Sequence, residues 1–126
     1  MTQEEIIKKY DLKLLLLFGS RARGDARKDS DTDIAFFGNK RLDLKEKSML
    51  MMDLTSFLRT DKIDIVDLRE ASPLIFYAIT RDGKILYAHD MMFFYEIRTY
   101  AYKRYIETVP IYEDMFKQIK KRLAIL

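Results

Sequence analysis

The stretch LLLLFGSRARGDARKDSDTDIAFF, residues 14–37, holds two apolar runs separated by a polar segment. The first run ends at Gly19-Ser20, and the second begins at Asp33, two residues after Asp31. Short apolar runs that stop at turn-forming residues are typical of buried strands. We therefore predict a strand over 12–18 and an antiparallel partner over 33–37, with Gly19 and the two aspartates at one edge of the sheet.

The rest of the chain alternates between helical and strand patterns. Apolar spacing and capping residues predict further elements: helices from Thr2, over 42–59 and from Ser72-Pro73, strands over 63–68 and 84–87, and a helical segment over 91–126 broken at Pro110. The order is α-β-β-α-β-α-β-α. The first two strands should pair antiparallel and the later crossovers should be parallel, which predicts an α+β fold with helices packed on a mixed sheet.

Length and composition limit the classes of site. The 126 residues are predicted to form a single domain, 1–126, in which 91–126 is a C-terminal helical segment. The absence of cysteine excludes disulfides and thiolate metal sites. Because His89 is the only histidine, a zinc site built from several imidazoles is excluded as well.

Charge and hydropathy predict a cytoplasmic protein. No signal peptide precedes Leu14, and the apolar run over 14–18 is too short to cross a bilayer. The net charge of +3 comes from residues 91–126, which carry seven basic and four acidic side chains. This excess is small, so we expect neither membrane attachment nor direct nucleic-acid binding.

Three aspartates predict a binding site for a divalent cation. On extended backbone Asp31 and Asp33 point the same way, roughly 7 Å apart, and their repulsion favours a hard cation such as Mg²⁺. Asp64 lies among apolar residues in another predicted strand, where an unpaired acid is costly. Asp64 completes the cluster if that strand neighbours the Asp33 strand, but the sequence leaves open whether Asp64 or Asp67 faces inward.

The Gly19-Ser20 turn predicts a phosphate cradle. Glycine allows the backbone to approach a ligand closely, and free N–H groups with the Ser20 hydroxyl can bind phosphate oxygens. Arg21 and Arg23 add the charge that phosphates require. The spacing is neither that of a Walker loop nor G-x-G-x-x-G. A phosphate cradle beside a carboxylate pair predicts phosphoryl or nucleotidyl transfer.

The pattern G-S-x(10)-D-x-D, followed by an acid in a later strand, resembles the DNA polymerase β-like nucleotidyltransferase superfamily. Within it, FGSRARGDARKDSDTDIAFF is similar to the minimal nucleotidyltransferases, whose motif is G-S-R-A-x-G followed by S-D-x-D. The resemblance implies that Gly19 and Ser20 hold the β- and γ-phosphates of the nucleotide, with help from Arg23 and Arg21.

The same resemblance implies roles for the carboxylates. Asp31 and Asp33 would bind two Mg²⁺ ions that bridge the triphosphate of ATP. Asp64 would share the catalytic metal and help to deprotonate the hydroxyl that attacks the α-phosphate. The catalytic set is complete in this sequence, so an active, Mg-dependent nucleotidyltransferase is expected.

Minimal nucleotidyltransferases are similar to antitoxins that pair with a HEPN-domain toxin. The resemblance implies a protein adenylyltransferase that moves AMP from ATP to a tyrosine of the toxin ribonuclease, releases pyrophosphate and forms a hetero-oligomer with its partner. Two alternatives stay open at this point. One is neutralisation by binding alone, and the other is nucleotidyl transfer to a small-molecule acceptor.

The C-terminal segment is rich in aromatic residues. It contains five tyrosines and three phenylalanines, and its apolar residues lie on more than one side of the predicted helix. A helix of this kind is buried on its own domain or against a partner. The sequence favours neither outcome.

Overall fold

The computed structural model describes residues 1–24 and 30–124. The elements, in chain order, are α1 (Gln3–Tyr10), β1 (Leu12–Phe18), α2 (Ser20–Arg23), β2 (Thr32–Gly38), α3 (Leu44–Leu58), β3 (Ile63–Asp67), α4 (Pro73–Asp82), β4 (Lys84–Ala88) and α5 (Met91–Leu123). The predicted order is confirmed, with one addition. The single turn α2 was not predicted because four residues are too few to show a helical period.

The four strands form one mixed sheet in the order β3-β2-β1-β4. As predicted, β1 pairs antiparallel with β2, and the α3 crossover makes β2 and β3 parallel. The expectation of parallel pairing was wrong for β4, which lies at the far edge and pairs antiparallel with β1. The side-chain pattern of a short strand does not indicate which edge of the sheet the strand joins, because the same residues can be buried at either edge.

The central strand β1 contributes side chains to two hydrophobic cores, one on each face of the sheet. Leu15 packs with the side chains of α1 and α3 on one face of the sheet. Leu14 and Leu16 pack with those of α4 and α5 on the other face. Helices cover both faces of the strand, which explains why its sequence is continuously apolar rather than alternating.

Four of the helices begin at side-chain caps, which are Thr2, Asp43, Ser72 and Asp90. The Thr2 hydroxyl accepts from the amide of Glu5 at the start of α1, and the Ser72 hydroxyl accepts from the amide of Ile75 ahead of Pro73 in α4. The helix predicted over 42–59 begins two residues later, because the capping box of Asp43 and Glu46 fixes its start.

Helix α5 continues through Pro110, so the predicted break is wrong. A proline inside a helix removes one backbone hydrogen bond, here the one that the Ile106 carbonyl would accept. Ile106 is exposed, so water can satisfy that carbonyl. The absent bond therefore does not interrupt the helix.

The two halves of α5 have different surroundings. Phe94, Ile97 and Ala101 are buried in the core beside α4, whereas Phe116 and Leu123 are more than half exposed. The question of whether the C-terminal segment is buried on its own domain thus has different answers along the helix, since only its first part belongs to the core. None of the described helices, α5 included, combines the length and the apolar character needed to cross a membrane.

Candidate active site

The turn that follows β1 brings the backbone into position at the end of the sheet. Gly19 has a φ of 77°, which non-glycine residues rarely adopt, and it precedes the single helical turn α2. No side chain caps this turn. Its first N–H groups are therefore not engaged by a cap, as a cradle for phosphate oxygens requires.

Gly19 also lies against Asp33. The antiparallel register pairs Phe18 with Asp33, so the turn begins directly beside that carboxylate. A β-carbon added to Gly19 would overlap Oδ2 of Asp33 and lie 3.2 Å from its Cγ. The glycine is thus required twice, once for its backbone conformation and once for the space that Asp33 occupies.

Asp33 and Asp64 lie on neighbouring strands. The parallel register of β2 and β3 pairs these two residues directly, as the hypothesis of a three-carboxylate cluster requires. Asp31 immediately precedes β2 and is exposed, as is Asp64, while Asp33 is half-buried. Burial raises the pKa of Asp33, and the negative charges of Asp64 and Asp31 raise this pKa further.

Asp67, the alternative third acid, lies elsewhere. It is buried at the other end of β3, where its Oδ1 accepts a 2.9 Å hydrogen bond from the amide of Arg69. Its Oδ2 lies 3.7 Å from Nζ of Lys47 on α3. Asp67 therefore ties β3 to α3, and Asp64 is the acid placed beside Asp33.

The two predicted phosphate-binding arginines have different surroundings. Arg23 lies close enough to Asp33 that its charge lowers the pKa of that carboxyl, against the effect of burial. Arg21 donates from Nη2 to the carbonyl of Ser30 at 2.9 Å. It lines a hollow with Leu17 and Leu58, both on the α1 and α3 side of the sheet. In these contacts Arg21 braces the start of β2 rather than joining the carboxylates.

The carboxylates fit Mg²⁺ that arrives with a nucleotide. Across residues 1–24 and 30–124, no three carboxylate or imidazole groups converge closely enough to enclose a metal by themselves. Mg²⁺ does not need such a cage, since it is usually held by one or two carboxylates, waters and substrate phosphates. The oxygen donors of Asp31, Asp33 and Asp64 match that mode, and they do not match a permanently enclosed ion.

Comparison with known families identifies this arrangement. Residues 2–92, well over half of the chain, match the family described as Polymerase beta, Nucleotidyltransferase. The chain belongs to this nucleotidyltransferase family. The expectation drawn from the G-S and D-x-D motif is confirmed for the family and for the fold.

Two curated proteins named protein adenylyltransferase MntA are similar to this nucleotidyltransferase. The relative from Aphanizomenon flos-aquae is 38% identical over 85 residues, which cover 60% of this chain and 57% of that protein. The relative from Shewanella oneidensis is 38% identical over 76 residues, covering 60% and 54%. The chain therefore spans little more than half the length of the curated relatives it matches.

Solved structures of similar fold come from toxin–antitoxin crystals. A chain of a toxin–antitoxin structure with AMP-PNP superposes with a TM-score of 0.81 at 24% identity, covering 92% of this nucleotidyltransferase and 94% of that chain. A structure described as tri-AMPylated Shewanella oneidensis HEPN toxin in complex with MNT antitoxin gives 0.74 at 23% identity, covering 92% and 91%. At these identities the superposition establishes the fold.

One charged residue near the site was not predicted from sequence. Asp82, the last residue of α4, forms a 2.8 Å ion pair with Arg81, which lowers the pKa of Asp82. Arg23 lowers this pKa further, so the end of α4 lies near the arginine of the turn. No sequence pattern indicates this proximity, because it depends on how α4 returns across the sheet.

The two glycines that flank α2 provide a test of the site. Gly19→Ala should reduce nucleotidyl transfer at least about a hundredfold, because the added methyl group displaces Asp33, a predicted metal ligand, and displacing a ligand costs at least as much as losing its outer-shell support. Transfer is measured as the initial rate of label incorporation from α-labelled ATP.

Gly24→Ala is the control. Gly24, at φ 81° and ψ 9°, lies in the left-handed region, where alanine costs about 1–2 kcal/mol. Gly19, at φ 77° and ψ −156°, lies in a region that is essentially restricted to glycine, so alanine is more strained there. A β-carbon on Gly24 meets no described atom within 4 Å. If both variants lose transfer equally, backbone strain alone explains the loss and the Gly19–Asp33 contact is unimportant.

Proposed function

We propose that this chain is an antitoxin that acts as a Mg-dependent protein adenylyltransferase. It transfers AMP from ATP to a tyrosine hydroxyl of a cognate HEPN-domain ribonuclease toxin and releases pyrophosphate. The observation that carries the proposal is the Gly19-Ser20 turn held against Asp33, with Asp64 paired to it across β2 and β3. This arrangement supports a phosphate cradle beside oxygen ligands for a metal.

The relatives support both the nucleotide and the acceptor. The curated proteins similar to this chain are named protein adenylyltransferases. One similar structure contains AMP-PNP, and another contains a HEPN toxin that carries three AMP groups. These descriptions support ATP as the co-substrate, a HEPN protein as the acceptor, and a complex of two different chains. Dependence on ATP also supports action in the cytoplasm.

The turn is proposed to bind the triphosphate. The uncapped N–H groups of α2 and the Ser20 hydroxyl would hold the β- and γ-phosphates, because they are preorganised donors at the end of β1. Arg23 adds a positive charge on the side of Asp33. Arg21 contributes indirectly, since its bond to the Ser30 carbonyl steadies the approach to Asp31.

The three aspartates are proposed to hold two Mg²⁺ ions with the nucleotide. When bound, Mg²⁺ neutralises the phosphates and stabilises the oxygens that enter and leave phosphorus. The protein orients the substrates for in-line displacement: the tyrosine oxygen bonds to the α-phosphorus as the bond to pyrophosphate breaks. Asp64 is exposed on the neighbouring strand, which supports the proposal that it takes the proton of that hydroxyl.

Exposure of the carboxylates suits an acceptor as large as a protein. Asp31 and Asp64 are exposed, and Asp33 is only half-buried. A cavity of about 540 Å³ lies at the other end of the same sheet face, around Phe37 and Arg69. A tyrosine on a folded partner can therefore approach the carboxylates without entering a deep pocket.

Replacing both ligands of the D-x-D pair separates catalysis from binding. In Asp31→Asn/Asp33→Asn, transfer should fall at least about a hundredfold because the metal loses two charged ligands. Binding to the HEPN protein should survive, because neither side chain belongs to the core. The measurement is toxin ribonuclease activity at equal occupancy of the complex, which the variant should fail to suppress.

Glu4→Gln/Glu5→Gln is the control, since it removes two exposed carboxylates from α1, on the opposite face of the sheet. It should neutralise the toxin as the unmodified chain does. If Asp31→Asn/Asp33→Asn also silences the toxin at equal occupancy, then neutralisation occurs by binding alone.

The two acids of β3 are predicted to act differently. Asp64→Asn should abolish transfer with little change in melting temperature, because Asp64 is exposed and lies beside Asp33. Asp67→Asn should lower the melting temperature and retain transfer, because it weakens the buried link to Lys47. Thermal unfolding and transfer rates measured on both variants check the assignment. Loss of transfer from Asp67→Asn at full stability would contradict it.

A further inference from the structure

We propose that the second half of α5 is a docking surface for an α-helix of the acceptor protein. The surface, called here the distal seam, consists of Tyr105, Val109, Tyr112, Phe116, Ile119 and Leu123. This inference rests on the proposed function only in identifying the acceptor as the partner. The seam itself follows from the position of α5 on the fold.

The distal seam continues a contact line that already packs on the sheet and α4. Along the first part of α5, Phe94, Ile97 and Ala101 are buried. The line then reaches Tyr105, whose ring stacks on that of Tyr77 in α4 at a centroid distance of 4.4 Å. Beyond Tyr105 the same side of the helix carries Val109, which is half-buried, and then four exposed apolar residues: Tyr112, Phe116, Ile119 and Leu123. The apolar side of α5 therefore extends past the part that packs on the domain.

The exposed residues are large. Phe116 is 64% exposed, Leu123 is 54% exposed and Ile119 is 45% exposed. Together these side chains form a contiguous apolar strip of the kind that marks a protein interaction site on soluble proteins. Single exposed apolar residues would carry no such meaning.

The spacing of the distal seam selects a helix as the occupant. From Tyr105 to Leu123 its members follow one another at intervals of four, three, four, three and four residues. This is the a/d repeat whose side chains insert between those of a facing helix. Ile111 and Met115 widen the apolar strip on one side, which suits a helix that belongs to a folded bundle.

Charge complementarity indicates the chemistry of the partner helix. Four basic residues lie within the last two turns of the seam, at Lys117, Lys120, Lys121 and Arg122. They outnumber the nearby acids Glu113 and Asp114. A partner helix that carries acidic residues beside its apolar strip, at the end that meets Lys120 and Arg122, therefore fits the seam best.

A second copy of this chain fits less well. In parallel register the second helix would run into the domain, because the seam lies on the side of α5 that packs on α4 and the sheet. In an antiparallel pair that matches Tyr112 with Phe116, the copies cross near Asp114 and the two Glu113 side chains face each other. Like charges at the centre of the pair oppose that arrangement.

Docking on the distal seam would hold the acceptor while its tyrosine approaches the carboxylates. The seam residues lie on α5, whereas Asp33 and the Gly19 turn belong to β2 and to the turn after β1, so the seam contributes to affinity rather than to the chemical step. Loss of the seam should therefore raise the KM for the acceptor and leave kcat and the KM for ATP unchanged.

The test compares two variants of matched charge. Phe116→Glu/Ile119→Glu places two acids in the distal seam. Lys103→Gln/Gln118→Glu makes the same change of two charge units on the side of α5 that faces away from the seam. Calorimetric titration with the cognate HEPN-domain protein should show at least about a thirtyfold loss of affinity for the seam variant, as for an interface hot spot, and less than threefold for the control.

Several outcomes would overturn the inference. Affinities within threefold of each other for the two variants, or no binding by the unmodified chain, would contradict it. Sedimentation showing a dimer that only Phe116→Glu/Ile119→Glu dissociates, with HEPN binding unchanged, would assign the seam to a second copy. The melting temperature of Phe116→Glu/Ile119→Glu should be unchanged, because both side chains lie outside the core, and this result excludes misfolding. Seam-dependent binding without AMP transfer would refute the proposed function and leave the docking surface intact.

Discussion

The close contact between Gly19 and the Asp33 carboxylate is the constraint on which the site depends. It requires the β1–β2 register that pairs Phe18 with Asp33, so the central hairpin and the site are fixed together. It also leaves room for no side chain at position 19. The parallel pairing of β2 with β3 then brings Asp64 to the same place. A one-residue slip of either pairing would turn a carboxylate to the opposite face.

Much of the fold could be predicted because local patterns and tertiary structure agree. The apolar run over 12–18 predicts a buried strand, and the caps at Thr2 and Ser72 mark helix starts that the structure confirms. The edge taken by β4 and the continuity of α5 through Pro110 were not predictable. The first depends on long-range packing, and the second on whether one exposed carbonyl can be hydrated.

The candidate site was predictable in its residue types and less so in its geometry. The motif identified Gly19 and Asp33 as neighbours, since both lie at the turn of one hairpin. The choice between Asp64 and Asp67 required the phase of β3, which a short strand with acids on both faces does not reveal. Arg21 and Arg23 look equivalent in sequence. Only the direction of α2 shows that Arg21 bonds to the Ser30 carbonyl and that Arg23 lies near Asp33.

The proposed function is tested most directly by the intact mass of the cognate HEPN-domain protein. The mass is measured after incubation with this chain, ATP and Mg²⁺, and again without ATP. The arrangement of Gly19, Asp33 and Asp64 predicts a gain equal to one or more AMP groups, located on tyrosine and dependent on ATP. A HEPN protein that is silenced while its mass stays unchanged would contradict the account.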